Sequence, residues 1–307
     1  MKKRISTNLV ARAIVMAIVL MLAGPANSAE KSADQSSKKK PVNKIAITFD
    51  ELPASRSFGE VDRQAVNYLL LETLKRHDVK VTGFVVGEYI EDSFDLLGQW
   101  LNNGHRLGNL TYSYQDFNEL DPENFIADII AGSEALETML QGFGQKKRYF
   151  RYPYLHYGST VEGKRAVREY LEAHEVIVGH ATVVVDDFLY NLSLEKMGKV
   201  PDSADYEALM NDYIGHVLES IERSEGMARQ ILKRSCRQIL QLRANRLNAV
   251  FLDQLLTAIK GSGYQFISLD EALKDKLYSA PEAYYGLRGV GYLEMLQLSD
   301  PDLLPAE

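Results

Sequence analysis

KIAITFDELP, residues 44–53, is a short apolar run rich in β-branched residues that closes on two carboxylates and a proline. Such a run, bounded by turn formers, reads as a buried strand. Six more follow: VKVTGFVVG (79–87), RLGNL (106–110), RYFRYP (148–153), EVIVGHATVVV (175–185), RQILQL (237–242) and YQFISL (264–269). Between them, segments near 61–77, 92–103, 122–141, 161–174, 204–227 and 249–261 return apolar residues every three or four positions and predict helices. Strands alternating with amphipathic helices imply parallel strands joined by crossover helices, hence a (β/α) barrel or a large doubly wound sheet. There is no internal repeat. A loop-rich tail from about Tyr278 carries Tyr284, Tyr285 and Tyr292.

The ends of the chain and its charge narrow the setting. Lys2, Lys3, Arg4 and Arg12 precede an apolar run from Ala13 to Ala23, followed by Gly24, Pro25 and small residues through Ala29. That order predicts a secretory signal peptide over 1–29, with an uncleaved signal anchor as the alternative. Glu30 to Val42 is polar, lysine-rich and without periodicity, as expected of a flexible tether. Removing 1–29 takes away four basic side chains and no acidic ones, moving the formal charge from −7 to −11. Nucleic acid and anionic glycans are poor partners for such a surface. The single cysteine, Cys236, excludes an intramolecular disulfide. The expected location is periplasmic or secreted, with no membrane association after signal cleavage.

Chemistry in α/β barrels gathers at the carboxyl ends of the strands. Those ends carry ITFDELP (47–53), GHRLGNLTYSYQDFN (104–118), YFRYPYLHYG (149–158), VVVDDF (183–188) and ILQLRANRLNA (239–249). In order and spacing, from Lys44 to about Leu273, these fragments resemble the five motifs of the NodB-type polysaccharide deacetylases, carbohydrate esterase family four. GYQFISLDEAL (263–273) is similar to the end of that family's domain. The resemblance implies a single distorted (β/α) barrel of about seven parallel strands over 43–275, with residues 276–307 packing on it or trailing it. It also implies an N-acetylated glycan or cell-wall polysaccharide as partner.

The resemblance assigns roles residue by residue, and several positions depart from it. The family's first motif reads TFDDGP, a general base followed by a metal ligand; Asp50 and Glu51 occupy these positions here. Its second motif, HTYSH, supplies two imidazoles to the metal. Here Leu110 and Tyr114 stand in their places; leucine ligates nothing and an unperturbed tyrosine loses its proton only near pH 10. The fifth motif's acid histidine is Arg243, which stays protonated at any working pH and cannot act as a general acid. Arg151 matches the arginine that orients the base, and Asp187 the aspartate that tunes the lost histidine. Phe188 replaces a tryptophan, and Val184 an earlier aspartate of the same motif. Two ion pairs are expected, Asp50 with Arg151 and Asp187 with Arg243.

Other residues admit two readings each. Tyr112, Tyr114, Tyr152, Tyr154 and Tyr157 fall on strand ends that would border a cleft, where tyrosines either stack on sugar rings or pack with the hydroxyl in water. Tyr112, Tyr152, Tyr154 and Phe188 are the substrate-binding candidates. His77 and His174 sit near helix ends, where a C-terminal cap is the plainer reading, and His180 lies within a strand as a core histidine. His156, in the loop after the arginine motif, is the one imidazole that could join Glu51 and Tyr114 in an unorthodox metal site. No cofactor is expected. The sequence therefore predicts a deacetylase homologue without metal-dependent hydrolysis, retaining a glycan-binding or regulatory role. The alternative is an active deacetylase that hydrolyses N-acetyl groups with Asp50 as base and an unorthodox metal, such as zinc, or none.

Overall fold

The computed structural model describes residues 43–55, 62–198 and 203–303. The expected signal peptide and tether lie outside the described residues. Seven parallel strands form one sheet: β1 (Asn43–Leu52), β2 (Thr82–Val85), β3 (Arg106–Asn109), β4 (Tyr149–Phe150), β5 (Ile177–Val178), β6 (Gln238–Arg243) and β7 (Tyr264–Ile267). Their order is β5-β4-β3-β2-β1-β6, with β7 pairing the first half of β1. Between and after them run α1 (Arg63–Arg76), α2 (Phe94–Asn102), α3 (Pro122–Gly142), α4 (Val161–Ala173), α5 (Asp187–Lys196), α6 (Ser203–Leu232), α7 (Arg246–Gly261), α8 (Leu269–Ala272) and α9 (Tyr292–Leu298). This is the distorted parallel barrel that the family resemblance implies, one of the two architectures the alternation of runs allows. Among the described residues, no helix is long and apolar enough to cross a membrane.

Local chemistry starts the helices where the periodicity places them. The side chains of Asp62, Asp121, Thr160 and Asn245 accept backbone N–H groups in the first turns of α1, α3, α4 and α7, relieving donors that have no helical partner. Pro122 follows the cap of α3, where its missing N–H costs nothing. β1 is buried along Ile45–Leu52 because strands and helices cover both its faces. Ile45, Ile47, Phe49, Leu107 and Leu240 build the main core with Trp100, which meets Phe49 edge-on at 5.9 Å. The indole N–H donates to Asn67 Oδ1 at 2.6 Å, so a fully buried tryptophan leaves no polar atom unpaired.

Four features differ from the sequence reading. The run 175–185 is not one strand: pairing stops after Val178 and returns only as a single bridge between Val183 and Leu240. The Arg151 guanidinium takes the carbonyls of Gly179 and His180, at 2.7 and 3.4 Å, which a ladder would otherwise use. The run 148–153 shortens to Tyr149–Phe150, and Pro153, which has no N–H to give a neighbour, opens a short 3-10 turn instead of extending the strand. α5 is absent from the sequence reading, since FLYNLSLEK lacks a clean apolar stripe. The tail is also more ordered than a loop. Tyr284, Val290, Tyr292, Leu293 and Met295 are buried against Phe150 and Tyr152, and the Tyr292 N–H donates to Ala181 O at 2.7 Å.

Candidate functional site

Register brings the site together. In the β1–β6 ladder Asp50 stands opposite Arg243, and Ala244 N–H donates to Asp50 O, so the first and fifth sequence fragments end side by side. Side chains alternate across a strand, which sets Thr48 and Asp50 on one face of β1 and Gln241 and Arg243 on one face of β6. β3 and β4 meet at Asn109 and Phe150, and Arg151 N–H donates to Asn109 O at 3.0 Å. Asp187 enters at the start of α5. The loop after β3 is held tightly: a Cβ on Gly132 of α3 would lie 2.3 Å from Asn109 Oδ1 and 2.8 Å from Tyr112 N. Only a glycine lets the helix approach this loop. Glu51, Thr111, Tyr114 and Tyr154 all adopt positive φ, between 56° and 63°, a strained conformation for side chains of this size, concentrated around one cleft.

Both expected ion pairs form. Arg151, fully buried, donates Nη1 to Asp50 Oδ1 at 2.6 Å and to Thr48 Oγ1 at 2.8 Å, and its guanidinium lies 4.2 Å from the Phe84 ring centroid. Gln241 donates to the other Asp50 oxygen. Asp50 is thus 2% exposed with both oxygens engaged, and it does not line the cleft. Asp187 accepts Arg243 Nη1 and Arg243 N–H, each at 2.6 Å, and Asn248 Nδ2 at 2.7 Å. Arg243 also donates Nε to Glu51 Oε1 at 3.1 Å, where the Tyr114 hydroxyl arrives at the same distance.

The titration of these groups follows from burial and neighbours. Burial raises the Glu51 carboxyl above its usual range; Arg243 and the Tyr114 hydroxyl only partly offset this. Burial, reinforced by Glu51, holds Tyr114 well above the ordinary phenol, so it is a neutral donor. Burial opposes the charge on Arg243, but Asp187, Tyr114 and Glu51 hold its pKa above the usual arginine value.

These residues do not fit a divalent metal. The Glu51 oxygen that would ligate it accepts from a guanidinium and a phenol instead, and Tyr114 keeps its proton. Leu110, fully buried, packs with Phe84 and Tyr149. His156 pairs with Asp116 at 2.7 Å and does not line the cleft, so it does not join Glu51 and Tyr114. Among the described residues, no group of three or more His, Cys, Asp and Glu side chains is arranged to hold a metal ion. His77 pairs with Asp253 at 2.9 Å; His174 caps α4 through Tyr170 O.

Above Glu51 and Arg243 lies a cleft of about 370 Å³, bordered by Ser55, Tyr114, Tyr154, Phe188 and Asn245. Tyr154 and Phe188 are exposed, Tyr154 lies 4.7 Å from Tyr114 ring to ring, and the Arg243 guanidinium lies 5.2 Å from the Phe188 ring centroid. Two of the four aromatic candidates are elsewhere. Tyr152 is buried in a cluster with Phe117, Phe125, Phe150 and Tyr157, whereas the backbone turn at Tyr154 leaves that ring exposed at the cleft. Tyr112 is exposed outside the cleft, its backbone tied to Asp128 O. Sequence reasoning missed Gln241, Asn248 and Asn245. The first had a signal, a polar residue two before Arg243 and between two leucines of the strand.

Comparison with known proteins is consistent with this geometry. Residues 37–172 match the profile of the polysaccharide deacetylase family. A peptidoglycan-N-acetylglucosamine deacetylase of Bacillus cereus is 30% identical over 116 residues, 37% of this chain and 38% of its own. The Listeria monocytogenes peptidoglycan-N-acetylglucosamine deacetylase PgdA is 24% identical over 240 residues, 78% of this chain and 41% of its own. The matches thus span less than half of either relative. Among solved structures, a CE4 family pseudoenzyme from Bacillus anthracis superposes with a TM-score of 0.51 at 17% identity, over 76% of this chain and 66% of its own; this likeness is one of fold.

Proposed function

We propose that this chain, which carries a polysaccharide deacetylase domain of the NodB-homology type (carbohydrate esterase family four), is an exported glycan-binding homologue that does not perform metal-dependent deacetylation. One observation carries the proposal: the Arg243 guanidinium bridges Asp187 and Glu51, at 2.6 and 3.1 Å, so a fixed positive charge sits at the carboxylate a metal would need. A cation brought beside it is repelled at short range in a medium that screens poorly. Asp50, held by Arg151 and Gln241, is 2% exposed and does not line the cleft, so it presents no base to a water there. What remains above it is a concave surface with exposed Tyr154 and Phe188 rings and polar edges, suited to a sugar chain. The curated relatives act on N-acetylglucosamine of peptidoglycan, which supports an N-acetylated envelope glycan as the partner.

The test is metal analysis of the purified protein with acetate-release assays on chitooligosaccharide and peptidoglycan, adding zinc, cobalt or nickel. The expected result is no stoichiometric metal and no acetate, together with saturable oligosaccharide binding that Tyr154→Ala weakens. Stoichiometric metal with acetate release that Asp50→Asn abolishes overturns the proposal.

A further inference from the structure

A second cavity, of about 300 Å³, lies between α4, β5 and the tail, and shares no residue with the cleft. One wall is a run of near-parallel rings: Tyr157 and His180 lie 5.7 Å apart at 15°, and His180 and Tyr278 6.2 Å apart at 6°. Tyr292 packs against the same imidazole at 4.2 Å. Tyr278 and Tyr292 belong to the tail, beyond the stretch that matches the family profile.

The polar groups of this cavity are few, and they cancel in charge. Lys164 pairs with Glu282 at 2.6 Å, and Arg168 lies 4.0 Å from Glu172. Burial pushes His180 down to about 3, with Arg151 and Lys164 adding to the effect, so its ring is neutral. His180 Nδ1 meets the Tyr157 hydroxyl at 3.2 Å. Tyr152, only 4% exposed, borders the cavity and brings a phenol hydroxyl to this part of the fold.

We propose that this cavity is a binding site for a single neutral sugar ring. The aromatic wall offers a face for ring C–H groups, the Tyr152 hydroxyl a donor for a ring or hydroxyl oxygen, and Glu282 and Glu172 acceptors for sugar hydroxyls. The balance of charge disfavours an ionic ligand, and the volume lies at the low end for small-molecule pockets, which suits one ring rather than a chain. The cavity stands apart from the cleft, so the proposal does not depend on what the cleft binds.

The test is ligand-observed NMR titration of the full chain with N-acetylglucosamine and with methyl β-glucoside, repeated for Tyr152→Phe and Tyr154→Ala. Tyr152→Phe keeps the ring in its aromatic cluster and removes only the oxygen, so its unfolding midpoint is expected to hold. Loss of one hydrogen bond predicts about two- to tenfold weaker binding of at least one sugar. Tyr154→Ala, which alters the cleft alone, is expected to leave the Tyr152-sensitive part of that binding unchanged. Binding insensitive to Tyr152→Phe in both the parent and the Tyr154→Ala background, Tyr152-sensitive binding that Tyr154→Ala removes, or no saturable binding of either sugar in the millimolar range overturns the proposal.

Discussion

Arg243 faces Asp50 across the β1–β6 ladder yet does not pair with it: its guanidinium turns to Asp187 and Glu51, while Asp50 takes its cation from Arg151. Each acid of the site therefore has a partner, and none depends on a ligand for its counter-charge.

Arg243→Ala leaves Asp187, with a fully buried side chain, facing Glu51 with no cation between them. Breaking a buried pair by removing one partner costs about 3–5 kcal/mol. Urea unfolding should read a loss of that size, with Arg243→Lys falling between, because a single ammonium cannot reproduce the fork that reaches both carboxylates. A loss under about 1 kcal/mol means the network is solvated and sinks this account.

Glu51→Gln should behave differently, because burial outweighs pairing at this carboxyl. A group whose folded pKa is raised contributes stability in full below its unfolded value, near 4.3 for glutamate; that contribution is lost as pH rises through the folded value. The parent is therefore penalised at neutral pH relative to the glutamine variant, and the penalty fades on acidification. The expected outcome is a variant no less stable than the parent at pH 7, with its relative advantage shrinking toward pH 4. A large destabilisation at pH 7 would show that the Arg243 contact dominates.

Gly132→Ala pushes a methyl toward the Asn109 side chain and the backbone at Thr111 and Tyr112. Such overpacking costs about 1–3 kcal/mol. Because this loop carries Tyr114 to Glu51, oligosaccharide binding in the cleft should weaken along with the unfolding midpoint. Unchanged binding would separate the helix contact from the site.

Cys236 is buried, and burial pushes its thiol up to about 12, with Asp275 and Glu225 adding to the effect. Reactivity follows the thiolate. Iodoacetamide at pH 8 should leave the native protein unmodified by mass and add one adduct after unfolding in guanidinium. Rapid labelling of the native state contradicts this burial.

The architecture was legible because period and alternation survive local irregularity: β1, β6 and β7, and helices α1 to α4 and α7, fall within a few residues of their predicted places. The 175–185 run was over-read because its apolar residues serve packing rather than pairing, while Arg151, distant in sequence, captures the carbonyls. At the site, Asp50 with Arg151 and Asp187 with Arg243 could be paired from the roles that the family resemblance implies for these positions, and both pairs form. Side-chain direction could not: Tyr152 and Tyr154 are two residues apart, yet the backbone turns to positive φ at Tyr154, and one ring lies in the core while the other faces the cleft. Nor could the sequence show that Glu51 joins Arg243 and Tyr114, a contact across 192 and 63 residues that depends on the turned backbone at Glu51.

The hydrogen bond from Tyr292 to Ala181 bears on portability. Cutting the chain after Leu273 would strip Tyr278, Tyr284, Tyr292, Leu293 and Met295 from the seam beside β5 and leave the rings of Phe150, Tyr152 and His180 facing water. A fragment trimmed there is thus a different object from the native protein, sticky along one side. Fusions and domain swaps should carry the chain through Leu298 if the barrel is to stay soluble.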